Sequence, residues 1–137
     1  MATKQDIEEG LEFAPKFNEN GLIPVIAQDA ETGCVLMAAY MNREALDATI
    51  RTGFATYFSR TRKKLWKKGE QSGHTQKVGQ ILVDCDQDYL LLKVSVNAGQ
   101  CHVGYQSCFY RAVKKDSDKD LEFVAEKVYD PEKTYNK

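Results

Sequence analysis

Two thiols seven residues apart with an imidazole beside the first, in Cys101-His102-Val-Gly104-Tyr-Gln-Ser107-Cys108, are the side chains of this sequence best suited to a soft metal ion. Thiolate and imidazole ligands suit Zn²⁺. Adding Cys85 gives three thiols, a set that leaves a fourth position for water, as catalytic zinc requires. The spacing matches no finger or ribbon pattern, and there is no second Cys-x-x-Cys pair. Closed coordination that includes His102, and plain buried cysteines, therefore stand as alternatives. A second cluster, Val83-Asp84-Cys85-Asp86-Gln87-Asp88-Tyr89, places a carboxylate at every second residue. In an extended strand that period sends Asp84, Asp86 and Asp88 to one face and Cys85 to the other. Like charges about 7 Å apart on one face call for a cation, for basic partners or for water. Oxygen-only ligands favour Mg²⁺. A solvated acidic turn is the plainer alternative. An EF-hand is excluded, because Tyr89 and Ser95 stand where its Gly and Glu belong.

A third stretch, Arg60 to His74, packs six basic residues into the nine from Arg60 to Lys68 and follows them with Gly69, Glu70, Ser72 and Gly73. Glycines let backbone amides approach a ligand, and Arg and Lys supply charge-assisted bonds to phosphate, so a phosphorylated substrate fits this stretch. A solvated lysine-rich loop is the competing reading. Single-stranded nucleic acid would need more stacking surface than Trp66 alone offers. His74 and His102 are the only histidines. Either could serve as general base, as substrate donor or as structural donor. Cys34, inside Gly33-Cys-Val-Leu-Met-Ala, reads as a small core residue.

The elements that must hold these groups are legible in outline. The chain has 137 residues, 42% apolar and 28% charged, with a net charge of −1, which predicts one domain over 1–137 with a real core. No global polyanion-binding signature exists, and no apolar run approaches the roughly 20 residues of a membrane helix. The acidic start, without an apolar signal region, points to a reducing, cytoplasmic compartment where thiols bind metal or catalyse rather than pair. Leu22 to Ala27 and Val35 to Tyr40 flank the turn-forming Asp29 to Gly33 and predict a hairpin. Asn42 caps a short amphipathic helix from Arg43 to Thr52, closed by Gly53. Phe54–Ser59, Val78–Asp84, Tyr89–Val96 and Cys108–Val113 read as strands, and Leu121–Val128 as a last helix. The class expected is α+β, mostly an antiparallel sheet or partial barrel with a few short helices.

Leu65-Trp66-x-Lys-Gly69-Glu70-x-Ser72-Gly73-His74, then Asp84-Cys85-Asp86-x-Asp88, then Cys101-His102-x-Gly104-x-x-Ser107-Cys108-Phe109-Tyr110 occur in this order within about fifty residues. Together they resemble the phosphoribosyl-AMP cyclohydrolase family of histidine biosynthesis, and the likeness extends over roughly residues 20 to 113. The extension 114–137 carries no usable motif, and nothing resembles the pyrophosphohydrolase domain fused in some relatives, so the single-activity form is implied. The resemblance implies an intertwined homodimer and two metals. Zinc would take Cys85, Cys101 and Cys108, with Cys85 reaching across the interface to the other two. Magnesium would take Asp84, Asp86 and Asp88. It further implies hydrolytic opening of the adenine N1–C6 bond of phosphoribosyl-AMP by zinc-activated water, with proton transfer falling to His74 or His102. Ser59, Arg60, Trp66, Lys67, Gly69, Glu70, Ser72 and Gly73 are the substrate-binding candidates, of which Ser59, Arg60, Lys67 and Ser72 would hold the phosphates. No nucleic acid and no membrane is implied as a partner. A base deaminase is disfavoured, because its His-x-Glu and Pro-Cys-x-x-Cys signature is absent.

Overall fold

The computed structural model describes residues 3–135. A short helix α1 (Lys4–Glu9) precedes the strands β1 (Ile23–Asp29) and β2 (Val35–Met41), which pair antiparallel as the expected hairpin. Asp29 shapes its turn, with Oδ1 accepting the Glu31 amide at 2.9 Å. Every second residue of β1 is buried, so one face of the strand lies in the core. Helix α2 (Arg43–Thr52) starts at Asn42, whose side chain accepts the Ala45 amide at 2.8 Å, and ends at Gly53 with φ +79°, a conformation only glycine adopts freely. Its apolar face buries Ala45 and Leu46, and the Thr49 hydroxyl ties it to the next strand by accepting the Thr56 amide at 3.0 Å. Asn42→Ala is expected to cost about 1 kcal/mol through the uncapped amide. A shift of the urea midpoint at constant m-value would measure it.

Strands β3 (Thr56–Ser59) and β4 (Lys64–Lys67) form a separate hairpin. Strands β5 (Gln76–Val83) and β6 (Leu90–Val96) form a third. The main sheet has the order β2-β1-β6-β5. Its central pair, β1 and β6, runs parallel and the two outer pairs antiparallel, so the sheet is mixed and, as expected, mostly antiparallel. It stays open and does not close into a barrel. The core it covers is built from Ile23, Val25, Leu36, Met41, Leu46, Tyr57, Leu90, Leu92 and Val94, with the half-buried Cys34 packed against it.

Strands β7 (Arg111–Val113) and β8 (Leu121–Phe123) make a small antiparallel pair, and α3 (Pro131–Tyr135) follows. Here the expected helix over Leu121–Val128 is overturned. Leu121, Val124, Ala125 and Val128 carry a helical period, but Leu121 and Phe123 also alternate. The strand wins because the Phe123 ring extends the stack of Tyr105 on Tyr110, whose centroids lie 3.9 Å apart. Among the described residues no helix is long and apolar enough to cross a membrane.

Candidate active site

The acidic cluster sits in a turn, not on a strand. Strand β5 ends at Val83, and Asp84 to Tyr89 reverse the chain into β6. The Asp84 carboxylate makes the reversal by accepting the amides of Asp88 and Tyr89 at 2.9 and 3.1 Å. Alternation along a strand therefore does not separate Asp84, Asp86 and Asp88 from Cys85, and the turn does that work. It brings one oxygen from each of the three carboxylates to within 4.8 Å of one another, a spacing that fits a single hard cation. Desolvation pushes the other way, but the donated amides together hold Asp84 below the usual carboxylate range. Asp88 is pushed up, first by desolvation and then by Asp84 and the charge of Asp86. The buried Gln87, at φ +59°, anchors the N-terminal segment to this turn: its side chain donates to the carbonyls of Ile7 and Glu12 and accepts the Ala14 amide.

The loop after β6 delivers two of the thiols. Cys101 is buried, its amide bonded to the Tyr105 carbonyl at 3.0 Å, and Gly104, at φ +113°, closes the bend. Ser107 donates to the Val35 carbonyl at 2.6 Å, and the Cys108 amide bonds Leu36 at 2.7 Å, so β2 fixes where Cys108 stands. The two side chains are near enough to influence each other's ionisation. Cys108 is open to the adjoining cleft, yet its thiol is pushed up to about 12 by desolvation at the cleft wall and by Cys101, against the pull of Lys68. A metal bound there must displace that proton. Cys85 is not with them. It is exposed on the acidic turn, beside a groove against the N-terminal segment, so one chain assembles two of the three expected thiols.

A cleft of about 250 Å³ joins the thiol loop to the basic stretch. Trp66, Lys67, Gly69, Glu70 and Ser72 line it from one side, and Gln100, His102 and Cys108 from the other. Gly69 permits the turn that carries them, because a Cβ there would lie 2.6 Å from the His74 carbonyl carbon. Of the expected catalytic and substrate-binding residues, four stand outside the cleft lining. Arg60 lies over the Tyr40 ring at 4.3 Å, and Ser59 is bonded within its own turn. The Gly73 carbonyl accepts from Asn97. His74 is turned to the Gly99 carbonyl, 2.7 Å from its Nδ1, and because a carbonyl can only accept, Nδ1 carries a proton.

Lys68 is the cleft residue that sequence reasoning passed over in favour of Lys67. Lys67 is exposed and lies over the Phe54 ring at 4.9 Å. Lys68 is only 7% exposed, and its ammonium donates to the Gln100 carbonyl at 2.7 Å. Burial lowers its pKa, while the Cys108 and Cys101 thiols raise it. A buried chain of bonds continues behind it. Gln76 accepts from the Tyr57 hydroxyl at 2.6 Å and donates to Gln100 Oε1 at 2.9 Å. The signal was available in the alternation of an extended chain, which turns neighbouring side chains opposite ways.

A cleft with Cys108, a buried lysine and a histidine at its wall has the concave shape and the few convergent polar groups that suit a small charged substrate. The family model described as phosphoribosyl-AMP cyclohydrolase matches residues 37–110. Curated proteins of that description resemble the chain along most of its length. One from Methanococcoides burtonii is 58% identical over 120 residues, covering 88% of this chain and 94% of its own. One from Rhodopseudomonas palustris is 54% identical over 136 residues, covering 96% and 90%. One from Chlorobium limicola is 52% identical over 137 residues, covering 100% and 98%. The chain belongs to the phosphoribosyl-AMP cyclohydrolase family and is an enzyme.

Proposed function

We propose that the protein hydrolyses the N1–C6 bond of the adenine ring of phosphoribosyl-AMP, giving the formimino aminoimidazole carboxamide ribotide, in histidine biosynthesis. The observation that carries this reading is the meeting of the Cys101–Cys108 pair with the basic, glycine-bearing stretch across one cleft. A ribosyl phosphate on N1 leaves the ring electron-poor at C6, where water adds. Zinc held by thiolates would lower the pKa of that water to near 7. Lys67, with the amides around Gly69 and Ser72, attracts and orients phosphate. Lys68 stands beside the two thiols, where its ammonium form would favour the thiolates that a metal needs. His102, the histidine that lines the cleft, delivers the proton that N1 takes as its bond to C6 breaks. Asp84, Asp86 and Asp88 would hold magnesium, which when bound would offset phosphate charge.

The working unit in this reading is a homodimer in the cytoplasm. Within one chain Cys85 stands apart from Cys101 and Cys108, and in this reading the third thiolate comes from Cys85 of a second copy. Phe109, Val113, Leu121 and Phe123 are exposed apolar surface near the thiol loop, consistent with an interface. The test is to incubate the protein with phosphoribosyl-AMP, Zn²⁺ and Mg²⁺, following mass and ammonia together. The expected product has gained one water, no ammonia appears, and chelation stops the reaction. Ammonia release would make the protein a deaminase, and a folded, zinc-loaded dimer without turnover would overturn the reading.

A further inference from the structure

The segment after β8 lies outside the residues matched by the family model, yet it passes directly over the thiol loop. The amides of Val128 and Tyr129 both donate to the Gly104 carbonyl, at 2.7 and 3.2 Å. The Tyr129 hydroxyl donates to the Cys101 carbonyl at 2.5 Å. The same side chain meets the His74 imidazole edge to face, with centroids 4.6 Å apart and planes at 85°. Two glycines make room for it. A Cβ at Gly99 would lie 2.7 Å from Val128 Cγ2 and 2.9 Å from Tyr129 Cδ1, and one at Gly104 would lie 2.7 Å from the Tyr129 carbonyl oxygen.

We propose that Tyr129 is a positioning residue of the active site, holding the Cys101 peptide through its hydroxyl and the His74 imidazole through its ring. The inference rests on the reading of Cys101 as a zinc thiolate. One side chain from the C-terminal segment thus clamps both ends of the 99–104 loop. At the Gly99 end its ring blocks rotation of His74, whose Nδ1–H is already committed to the Gly99 carbonyl. At the other end the hydroxyl satisfies the Cys101 carbonyl and fixes the peptide from which the thiol projects. Groups that orient a metal ligand from behind are worth roughly 10- to 100-fold in metal affinity or activity.

The experiment compares wild type, Tyr129→Phe, Tyr129→Leu and Cys101→Ser for zinc affinity by chelator competition, for kcat and KM, and for the imidazole nitrogen NMR signals. Tyr129→Phe keeps the ring and is expected to weaken zinc binding and lower kcat by roughly 10-fold with KM little changed. Its His74 signals should stay those of a single tautomer. Tyr129→Leu should add mixed His74 tautomers and a larger loss of kcat, part of which Phe restores. Wild-type zinc affinity and kcat in folded Tyr129→Phe, while Cys101→Ser has lost both, would overturn the inference and leave the ligand reading intact. Retention of zinc and turnover by Cys101→Ser would overturn the ligand reading and the inference with it.

Discussion

Cys101→Ser is expected to bind no zinc and to turn over no substrate. The change is nearly isosteric, and the amide bond from Cys101 to Tyr105 and the carbonyl contacts of the loop involve no sulfur, so the fold should survive. What disappears is the ligand, since a serine hydroxyl stays protonated where a thiol can yield its proton to a metal. Cys101 is 3% exposed, which leaves little room for another side chain to swing in and replace it. Losing the Lewis acid removes several kcal/mol of transition-state stabilisation, and kcat/KM should fall by about 10³-fold or more. Metal analysis of the dialysed protein and a turnover assay decide the matter. An active, zinc-free variant would refute the assignment.

Asp86→Asn should separate the two metals, retaining zinc while losing magnesium-dependent activity. Among the three carboxylates Asp86 is the clean choice. Asp84 also builds the turn through the amides of Asp88 and Tyr89, so changing it would disturb the backbone as well as the charge. Asp86 is exposed, and removing its charge leaves Asp84 and Asp88 in place with one anionic ligand fewer. Affinity of a hard cation follows ligand charge count, so the magnesium concentration for half-maximal rate should rise about tenfold or more. A titration of rate against Mg²⁺ at constant zinc content measures it. An unchanged magnesium dependence would remove the acidic turn from the mechanism.

These two variants differ in how far their reasons could be read from the chain. The first hairpin, the Asn42-capped helix ending at Gly53, and the strand runs at β5 and β6 follow from periodicity and capping within a few residues, and the structure has them almost to the residue. The residue types for metal and phosphate chemistry were equally plain, because ligand chemistry belongs to the side chain itself. Tertiary structure alone decided which of them meet. The parallel pairing of β1 with β6 joins residues more than sixty positions apart, and no local pattern encodes it. The aspartate turn and the β7–β8 hairpin are local pairings that periodicity did not show, while long-range packing left Cys85 apart from Cys101 and Cys108. It also sent Lys68 inward while its neighbour Lys67 stayed out, and laid Tyr129 across two glycines of the thiol loop. Propensities and caps are settled by neighbours in sequence, whereas burial and convergence are settled by what the rest of the chain packs against them.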